Sequence, residues 1–217
     1  VPIREPGLDE LVAEGLANGR LEFHADQSGT HGARLVIVAV GTLDRAGEWT
    51  GELVEQAVSL LAADAKAPRH LVVRSTLMPG TAVRLERTAR AIDPAVRLCF
   101  NPEFTREAVA VRDFLEPDRV VVGAGTDAHA LVAELHELYA PMERPILDTD
   151  LTSAETIKIA SNVFLAAKIS FANELARLRA ATGADVHAVV DGMGLDLRIG
   201  RAFLSPGPGF GGSCFPS

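Results

Sequence analysis

Cysteine is scarce in this sequence of 217 residues, which contains only Cys99 and Cys214. Two thiols are too few to form the disulfide framework that stabilises many small secreted domains. This scarcity is typical of proteins kept in a reducing compartment, so we expect a cytoplasmic protein. Cys99 lies within an apolar run, which predicts a buried structural thiol.

Excess basic charge, long apolar runs and clustered histidines are missing as well. The 21 lysines and arginines are outnumbered by 29 acidic residues, and the net charge of −8 argues against a nucleic-acid partner. A local basic site would still allow an anionic small ligand. No apolar run approaches the roughly 20 residues of a membrane-spanning helix, so we expect no membrane partner. The six histidines have no metal-like spacing, so we predict no metal site.

Residues 1–149 contain a regular alternation of strand-like and helical patterns. The unbroken, largely β-branched run at 35–40 predicts a strand that is buried on both faces, and the segments 70–74, 96–100 and 119–123 predict three further strands. The amphipathic segments between these strands predict helices. The alternation therefore predicts an α/β domain built on an open parallel sheet.

Polar segments follow three of the predicted strands. They are Gly41-Thr42, Ser75-Thr76 and the stretch 101–107. Because ligands of open α/β sheets bind beyond the carboxyl ends of the strands, we expect these segments to form part of a site.

Residues 150–217 have a different pattern, which predicts a helical domain. No proline or glycine interrupts positions 152–181, so this stretch predicts one helix of about 30 residues and about 45 Å. Thr152 and Glu155 match a capping box at its start, and Gly183 ends it. Such a helix links the sheet domain to a neighbour, packs against its copy in a dimer, or bridges two lobes of one fold.

Glycine is concentrated around Cys214, at positions 207, 209, 211 and 212. Glycine lets a ligand approach backbone N–H groups, which can stabilise a nucleophilic thiolate or an oxyanion. A glycine-rich surface loop with a free cysteine has the same composition. Composition alone does not decide between these two interpretations.

The segment 207–216, with the sequence GPGFGGSCFP, resembles the catalytic cysteine loop of the UDP-glucose/GDP-mannose dehydrogenase family. The resemblance implies a partial, Rossmann-like NAD-binding domain over 1–149 and a central helical, dimerising domain over 150–217. The chain begins with Val1, and the family's opening Gly-x-Gly-x-x-Gly unit and its C-terminal UDP-binding domain are not found in it. We therefore expect a piece of a longer enzyme that has little dehydrogenase activity alone.

Lys158 and Asn162 resemble the family's Lys-x-x-x-Asn motif, in which both residues stabilise oxyanions and position the substrate. Spacing alone favours a solvated lysine beside a surface asparagine, since i and i+4 residues simply share a helix face. The resemblance implies the catalytic interpretation instead.

The stretch that contains Glu103 resembles the family's Asn-Pro-Glu segment. It implies catalytic and substrate-binding roles for Glu103, substrate contacts for Phe104 and Thr105, and a position for Glu107 near the nicotinamide. Two carboxylates at the start of a helix are otherwise commonplace.

Thr76 resembles the threonine that lies beside NAD and orders the hydrolytic water, and Thr42 resembles another NAD contact. Without the resemblance, each threonine would be a turn former.

The resemblance also implies substrate contacts in the last twenty residues. Arg198 corresponds to an arginine that reaches the substrate of the neighbouring subunit, although a surface charge would be the simpler interpretation. The remaining residues cover the nucleotide sugar: Phe203, Leu204, Ser205, Pro206, Gly207 and Gly211.

The implied reaction is a double oxidation of a nucleotide-sugar C6 alcohol to the carboxylate, with NAD as cofactor and Cys214 as nucleophile. UDP-glucose is the expected substrate and GDP-mannose the alternative. A homodimer through helix 151–182 is expected. Two alternatives of other classes are a non-catalytic oligomerisation or nucleotide-sugar-binding remnant and a β-hydroxyacid dehydrogenase, which needs no nucleophilic cysteine.

Overall fold

The computed structural model describes residues 3–43 and 47–209, and its chain divides into two compact units, Val1–Lys158 and Ile159–Ser217. The first unit is an α/β structure, and the second is helical. The predicted α/β class is therefore confirmed. The domain limits 1–149 and 150–217 stay a prediction.

One five-stranded sheet organises the first unit, in the order β1-β2-β3-β4-β5. The strands are Val36–Val38 (β1), His70–Val73 (β2), Arg97–Phe100 (β3), Val120–Ala124 (β4) and Ile146–Asp150 (β5). Neighbouring strands are parallel except β3 and β4, which pair antiparallel. The sheet is thus mixed rather than fully parallel.

The antiparallel pairing of β3 with β4 is related to the connection between these two strands. A parallel neighbour is reached by a crossover connection, usually through an α-helix. Between β3 and β4 the chain forms only the six-residue helix Ala110–Leu115 (α4). The carboxyl ends of β1, β2 and β3 consequently share one edge of the sheet, whereas those of β4 and β5 lie at the opposite edge.

The remaining helices are divided between the two units. In the first unit they are Leu8–Ala17 (α1), Glu52–Ala63 (α2), Thr81–Ile92 (α3) and His129–Tyr139 (α5). Helix Leu151–Thr182 (α6) begins in the first unit and continues in the second, where Val186–Gly194 (α7) follows. The predicted long helix is confirmed, with 32 residues. Among the described residues, no helix combines the length and the apolar character needed to cross a membrane.

The central strands β2, β3 and β4 are largely buried. The prediction that the run 35–40 forms a strand buried on both faces is wrong, because β1 lies at the edge of the sheet, spans only Val36–Val38 and leaves Ile37 41% exposed.

On one face of the sheet Leu71, Val73 and Phe100 pack against α2 and α3, and on the other Val72 and Cys99 pack against α5. Cys99 is fully buried, and burial raises the pKa of its thiol to about 12. It is therefore a structural thiol, as predicted.

The predicted capping box at Thr152 and Glu155 is wrong. Helix α6 begins at Leu151, directly after β5, so Thr152 already lies inside the helix. The carboxylate of Asp150 caps it instead, accepting hydrogen bonds from Ser153 N at 2.8 Å and Ser153 Oγ at 2.6 Å. The Glu155 carboxylate binds a different helix, because it accepts hydrogen bonds from backbone N–H groups near the start of α3.

A small hydrophobic cluster holds the second unit together. Val186 and Val190 of α7 pack with Leu204 and with Leu175 and Ala176 of α6. Asp185 caps α7 through a hydrogen bond from His187 N at 3.0 Å.

Candidate active site

The segments that follow β1 and β2 lie side by side at the shared carboxyl edge. Ser75 Oγ donates a hydrogen bond to Val40 O at 2.7 Å, and Arg74 N donates to Val38 O at 2.9 Å. This adjacency follows from the parallel pairing of β1 with β2. The polar strand ends predicted at Thr42 and Thr76 are therefore neighbours in the fold.

Trp49 connects these two strand ends, and sequence reasoning missed it. Its Nε1 donates a hydrogen bond to Thr76 O at 3.1 Å, and its backbone pairs with Leu43, next to Thr42. Thr42 O in turn accepts a hydrogen bond from Thr50 N at 3.0 Å. Both threonines are half-buried. The single tryptophan of the sequence was the available signal.

A buried polar cluster fixes the start of the segment that follows β3. The amide of Asn101 donates to Val121 O at 2.7 Å, while its Oδ1 accepts from Arg74 Nη1 at 2.6 Å and from the Tyr139 hydroxyl at 2.5 Å. Burial raises the pKa of Tyr139, which keeps its hydroxyl a donor. This cluster holds the backbone two residues before Glu103, and an asparagine directly after a buried strand was its only sequence signal.

Lys158 and Glu103 form the centre of the candidate site. The Lys158 side chain comes from the second turn of α6, and its residue is only 4% exposed. Its Nζ donates hydrogen bonds to Glu103 O at 2.6 Å and to Glu103 Oε1 at 2.9 Å. The solvated lysine that spacing alone favoured is therefore wrong, because this ammonium is buried and paired.

Thr105 donates two further hydrogen bonds to the Glu103 carboxylate. Glu103 Oε2 accepts hydrogen bonds from Thr105 N at 2.7 Å and Thr105 Oγ1 at 2.6 Å. Burial by itself would raise the pKa of Glu103, but the Thr105 hydrogen bonds and the Lys158 charge outweigh it and lower the pKa below its ordinary value. Glu103 is therefore an ionised, orientated carboxylate at neutral pH.

The ring of Phe104 lies against two cations. The guanidinium carbon of Arg119 is 3.9 Å from the ring centroid, and Lys158 Nζ is 5.3 Å from it. Such contacts attract the cations to the electron-rich face of the ring. Glu103, Phe104 and Thr105 are thus brought together with Lys158. Their roles at a site stay a prediction.

Glu107 lies on the exposed part of the same segment. The neighbouring Arg106 forms an ion pair with Asp113 of α4, with Nη2 2.7 Å from Oδ1. Glu5 accepts hydrogen bonds from Ala108 N at 3.0 Å and Ala110 N at 2.7 Å. These contacts fix the backbone on both sides of Glu107 and leave its own carboxylate accessible.

The second unit contains the other predicted residues that the structure describes. Asn162 of α6 is half-buried. Arg198 is exposed and forms an ion pair with Asp196, with Nη2 2.6 Å from Oδ2. Its side chain is therefore on the surface of this unit, as both of its sequence interpretations require.

The segment 203–207 is held by contacts at three of its residues. Leu204 is buried in the α7 cluster, Ser205 Oγ accepts from Arg201 Nη1 at 3.2 Å, and Gly207 N donates to Asn173 Oδ1 at 2.9 Å. Phe203 has a φ of 64°, a left-handed conformation that is unusual for a bulky residue and tends to occur at functional sites. Pro206 is half-buried.

Two predicted residues, Cys214 and Gly211, lie outside the described part of the chain. Within residues 3–43 and 47–209, no group of three or more histidine, cysteine or acidic side chains is arranged to hold a metal ion.

The carboxyl edge of β1 and β2 fits a nicotinamide dinucleotide. Thr42 and Thr76 place half-buried hydroxyl groups at two adjacent strand ends, where such cofactors bind in open α/β sheets. Neutral hydroxyls are suited to the ribose and amide groups of the cofactor, since they both donate and accept hydrogen bonds.

Comparisons with known proteins match this architecture over its whole length. Residues 1–143 match the NAD binding domain of the UDP-glucose/GDP-mannose dehydrogenase family, and residues 152–217 match its central domain. A UDP-glucose 6-dehydrogenase of Rhizobium meliloti (strain 1021) is 44% identical over 225 residues, which cover 100% of this chain and 51% of that protein. The chain spans about half the length of the curated relatives it matches.

Solved structures agree with these matches. A UDP-glucose dehydrogenase from the archaeon Pyrobaculum islandicum has a TM-score of 0.90 and 38% identity, covering 99% of this chain and 51% of that chain. A GDP-mannose dehydrogenase from Pseudomonas aeruginosa has a TM-score of 0.83 and 32% identity, covering 99% of this chain and 52% of that one. The resemblance drawn from the cysteine loop is confirmed, and the chain belongs to the UDP-glucose/GDP-mannose dehydrogenase family.

Proposed function

We propose that this chain supplies the catalytic lysine and cysteine of an NAD-dependent dehydrogenase that oxidises the C6 alcohol of UDP-glucose to the carboxylate of UDP-glucuronate. The observation that carries the proposal is the buried ammonium of Lys158, held by Glu103 beside Phe104 and Thr105. Its membership of the family and its likeness to UDP-glucose 6-dehydrogenases support the substrate.

Lys158 stabilises negative charge on the substrate oxygen. An ammonium has three N–H donors, and Glu103 accepts from two of them among the described contacts. In this proposal the third donor binds the sugar oxygen, which becomes negatively charged as the alcohol and later the aldehyde react. Because the ammonium is buried and already orientated, its field acts at little reorganisation cost. Asn162 adds a neutral donor to the same task.

Cys214 is the nucleophile in this proposal. Its thiolate adds to the aldehyde formed by the first oxidation and gives a thiohemiacetal, which the second oxidation converts into a thioester. Water then releases the acid, and Thr76 and Glu103 orientate that water. NAD⁺, when bound, accepts a hydride in each oxidation. Thr42, Thr76 and Glu107 hold the cofactor.

The nucleotide sugar is bound by Phe104, Thr105, Arg198, the segment 203–207 and Gly211. Arg198 supplies a cation to an anionic ligand, and its exposed position allows it to serve a neighbouring subunit. The scarcity of cysteine supports a cytoplasmic location.

The proposed dimer is supported by an apolar stripe on α6. Phe164, Phe171 and Leu178 are 65%, 48% and 55% exposed, and they recur every seven residues. A seven-residue repeat places apolar side chains along one face of a helix, which is the pattern of helices that pack against each other. We infer that a second copy of the chain covers this stripe.

The experiment that tests the function is an assay of the complete gene product with NAD⁺ and either UDP-glucose or GDP-mannose. NADH formation with UDP-glucose, and little with GDP-mannose, is expected. The reverse preference would support the alternative substrate, GDP-mannose, which is the substrate named for one of the similar solved structures. Activity with neither sugar would overturn the proposal.

A further inference from the structure

The side chain of Glu155 is fully buried at 0% exposure, and the proposed reaction does not use it. It projects from the first turns of α6, three residues before Lys158. Its Oε2 accepts a hydrogen bond from Gly80 N at 2.7 Å, and its Oε1 accepts one from Ala82 N at 2.6 Å. A buried carboxylate is costly unless such partners satisfy it.

These contacts make Glu155 the cap of helix α3. Gly80 is the N-cap residue of that helix, and a glycine has no side chain that could accept the exposed N–H groups. A carboxylate at a helix N-terminus is also attracted by the positive end of the helix dipole. Glu155 therefore fastens α6 to the beginning of α3 through charge-assisted hydrogen bonds, which have narrow geometric requirements.

Glu155 binds the end of the segment that contains Thr76. This segment runs from the end of β2 to Gly80, and Trp49 holds its other end through the hydrogen bond to Thr76 O. On the α6 side, Lys158 lies one turn after Glu155 and is bound to Glu103. The Glu155 carboxylate thus connects two segments that contain proposed catalytic groups.

We propose that Glu155 is a positioning residue that fixes the turn of α6 carrying Lys158 against the segment carrying Thr76. This inference rests on the proposed function. Glu155 touches neither substrate nor cofactor in this account, and it acts by keeping the Lys158 ammonium where the sugar oxygen develops charge. A small displacement of a catalytic group lowers the reaction rate strongly. The loss of the Glu155 carboxylate should therefore lower kcat more than it lowers the affinity for the substrate.

The variant Glu155→Gln tests this role, and Glu86→Gln is its matched control. Glu86 is also a buried carboxylate, 7% exposed, and accepts a backbone hydrogen bond from Thr126 N at 2.5 Å, but it contacts no proposed site residue. In the complete gene product, E155Q should lower kcat by about ten- to a hundredfold. E86Q should keep kcat close to wild type, and neither variant should greatly raise the KM for UDP-glucose.

A second measurement does not depend on catalysis. The chain has only three lysines, Lys66, Lys158 and Lys168, so labelling with an amine-reactive ester can be resolved for each. In the 217-residue chain, E155Q should speed the labelling of Lys158 relative to the exposed Lys66, and E86Q should not. If E155Q does not fold, Glu155→Met, which removes the acceptor but keeps the length, replaces it.

Faster labelling of Lys158 together with a lowered kcat in E155Q alone supports the inference. An unchanged kcat in E155Q overturns it, and so does an equal loss of kcat in E86Q, which would indicate general destabilisation. If the wild-type product oxidises no nucleotide sugar, the proposed function fails by itself. The labelling rates then decide alone whether Glu155 positions the ammonium.

Discussion

The ammonium of Lys158 lies 2.6 Å from the carbonyl oxygen of Glu103 and 2.9 Å from the Oε1 of the same residue. A lysine that is only 4% exposed would lose much of its hydration, and the two oxygens replace it. The two oxygens thereby hold the ammonium in a fixed and protected position.

Replacing the lysine should remove catalysis while the fold persists. Lys158→Met keeps the length of the side chain and deletes the ammonium, so kcat should fall by about a hundred- to a thousandfold in the complete gene product. Lys168→Met is the matched control, because Lys168 lies on the same helix and donates only to Ile199 O among its described hydrogen bonds. An equal loss in both variants would contradict a specific role for Lys158.

Removing the charge of Glu103 should destabilise the chain. In Glu103→Gln the buried ammonium keeps its backbone acceptor but loses its counter-ion, and the free energy of unfolding should fall by about 1–3 kcal/mol. Urea denaturation of the 217-residue chain measures this. Glu107→Gln is the control for stability, because Glu107 is exposed and its substitution should change the free energy of unfolding by less than about 0.5 kcal/mol.

The same pair predicts a pH dependence. The folded-state pKa of Glu103 is lowered, so its contribution is fully present above the ordinary carboxyl pKa of about 4.3 and is lost as the pH falls through the folded value. The stability difference between wild type and Glu103→Gln should therefore shrink on acidification from about pH 5 downwards. A difference that stays constant between neutral and strongly acidic pH would show that the charge of Glu103 is not the source of the effect.

The apolar stripe of α6 predicts that the chain forms a dimer and that a charged side chain placed in the stripe will weaken it. Phe164→Asp places a carboxylate in the proposed contact, and sedimentation should show a shift from dimer to monomer. Leu60→Asp is the control, since Leu60 is 58% exposed on α2, far from the stripe in sequence, and its substitution should leave the oligomeric state unchanged. A wild-type protein that is monomeric at all concentrations would rule out the dimer.

The sequence predicts the buried strands β2 and β3 well because each is a short, largely apolar segment, at 70–74 and at 96–100. It did not predict the antiparallel placement of β4, which depends on how the short α4 connection turns the chain. Helix α6 was predictable from the lack of glycine and proline between 152 and 181.

The candidate site was predictable only in part. Lys158 and Glu103 could be paired through the family resemblance, although they are distant in sequence. Glu155 was misassigned to a local cap, because its partners Gly80 and Ala82 are far away in sequence and local pattern rules cannot find them. The role of Asn101 could not be predicted for the same reason, because its hydrogen-bond partners Arg74 and Val121 are also far away in sequence.

If Cys214 allows a nucleotide sugar to be oxidised twice, the yield of NADH per UDP-glucose in the complete gene product measures it. Two NADH are expected for each UDP-glucose consumed, with UDP-glucuronate as product, and no acid is expected from Cys214→Ser. A yield of one NADH with accumulation of a free aldehyde, or an undiminished acid yield in Cys214→Ser, would contradict this role of Cys214.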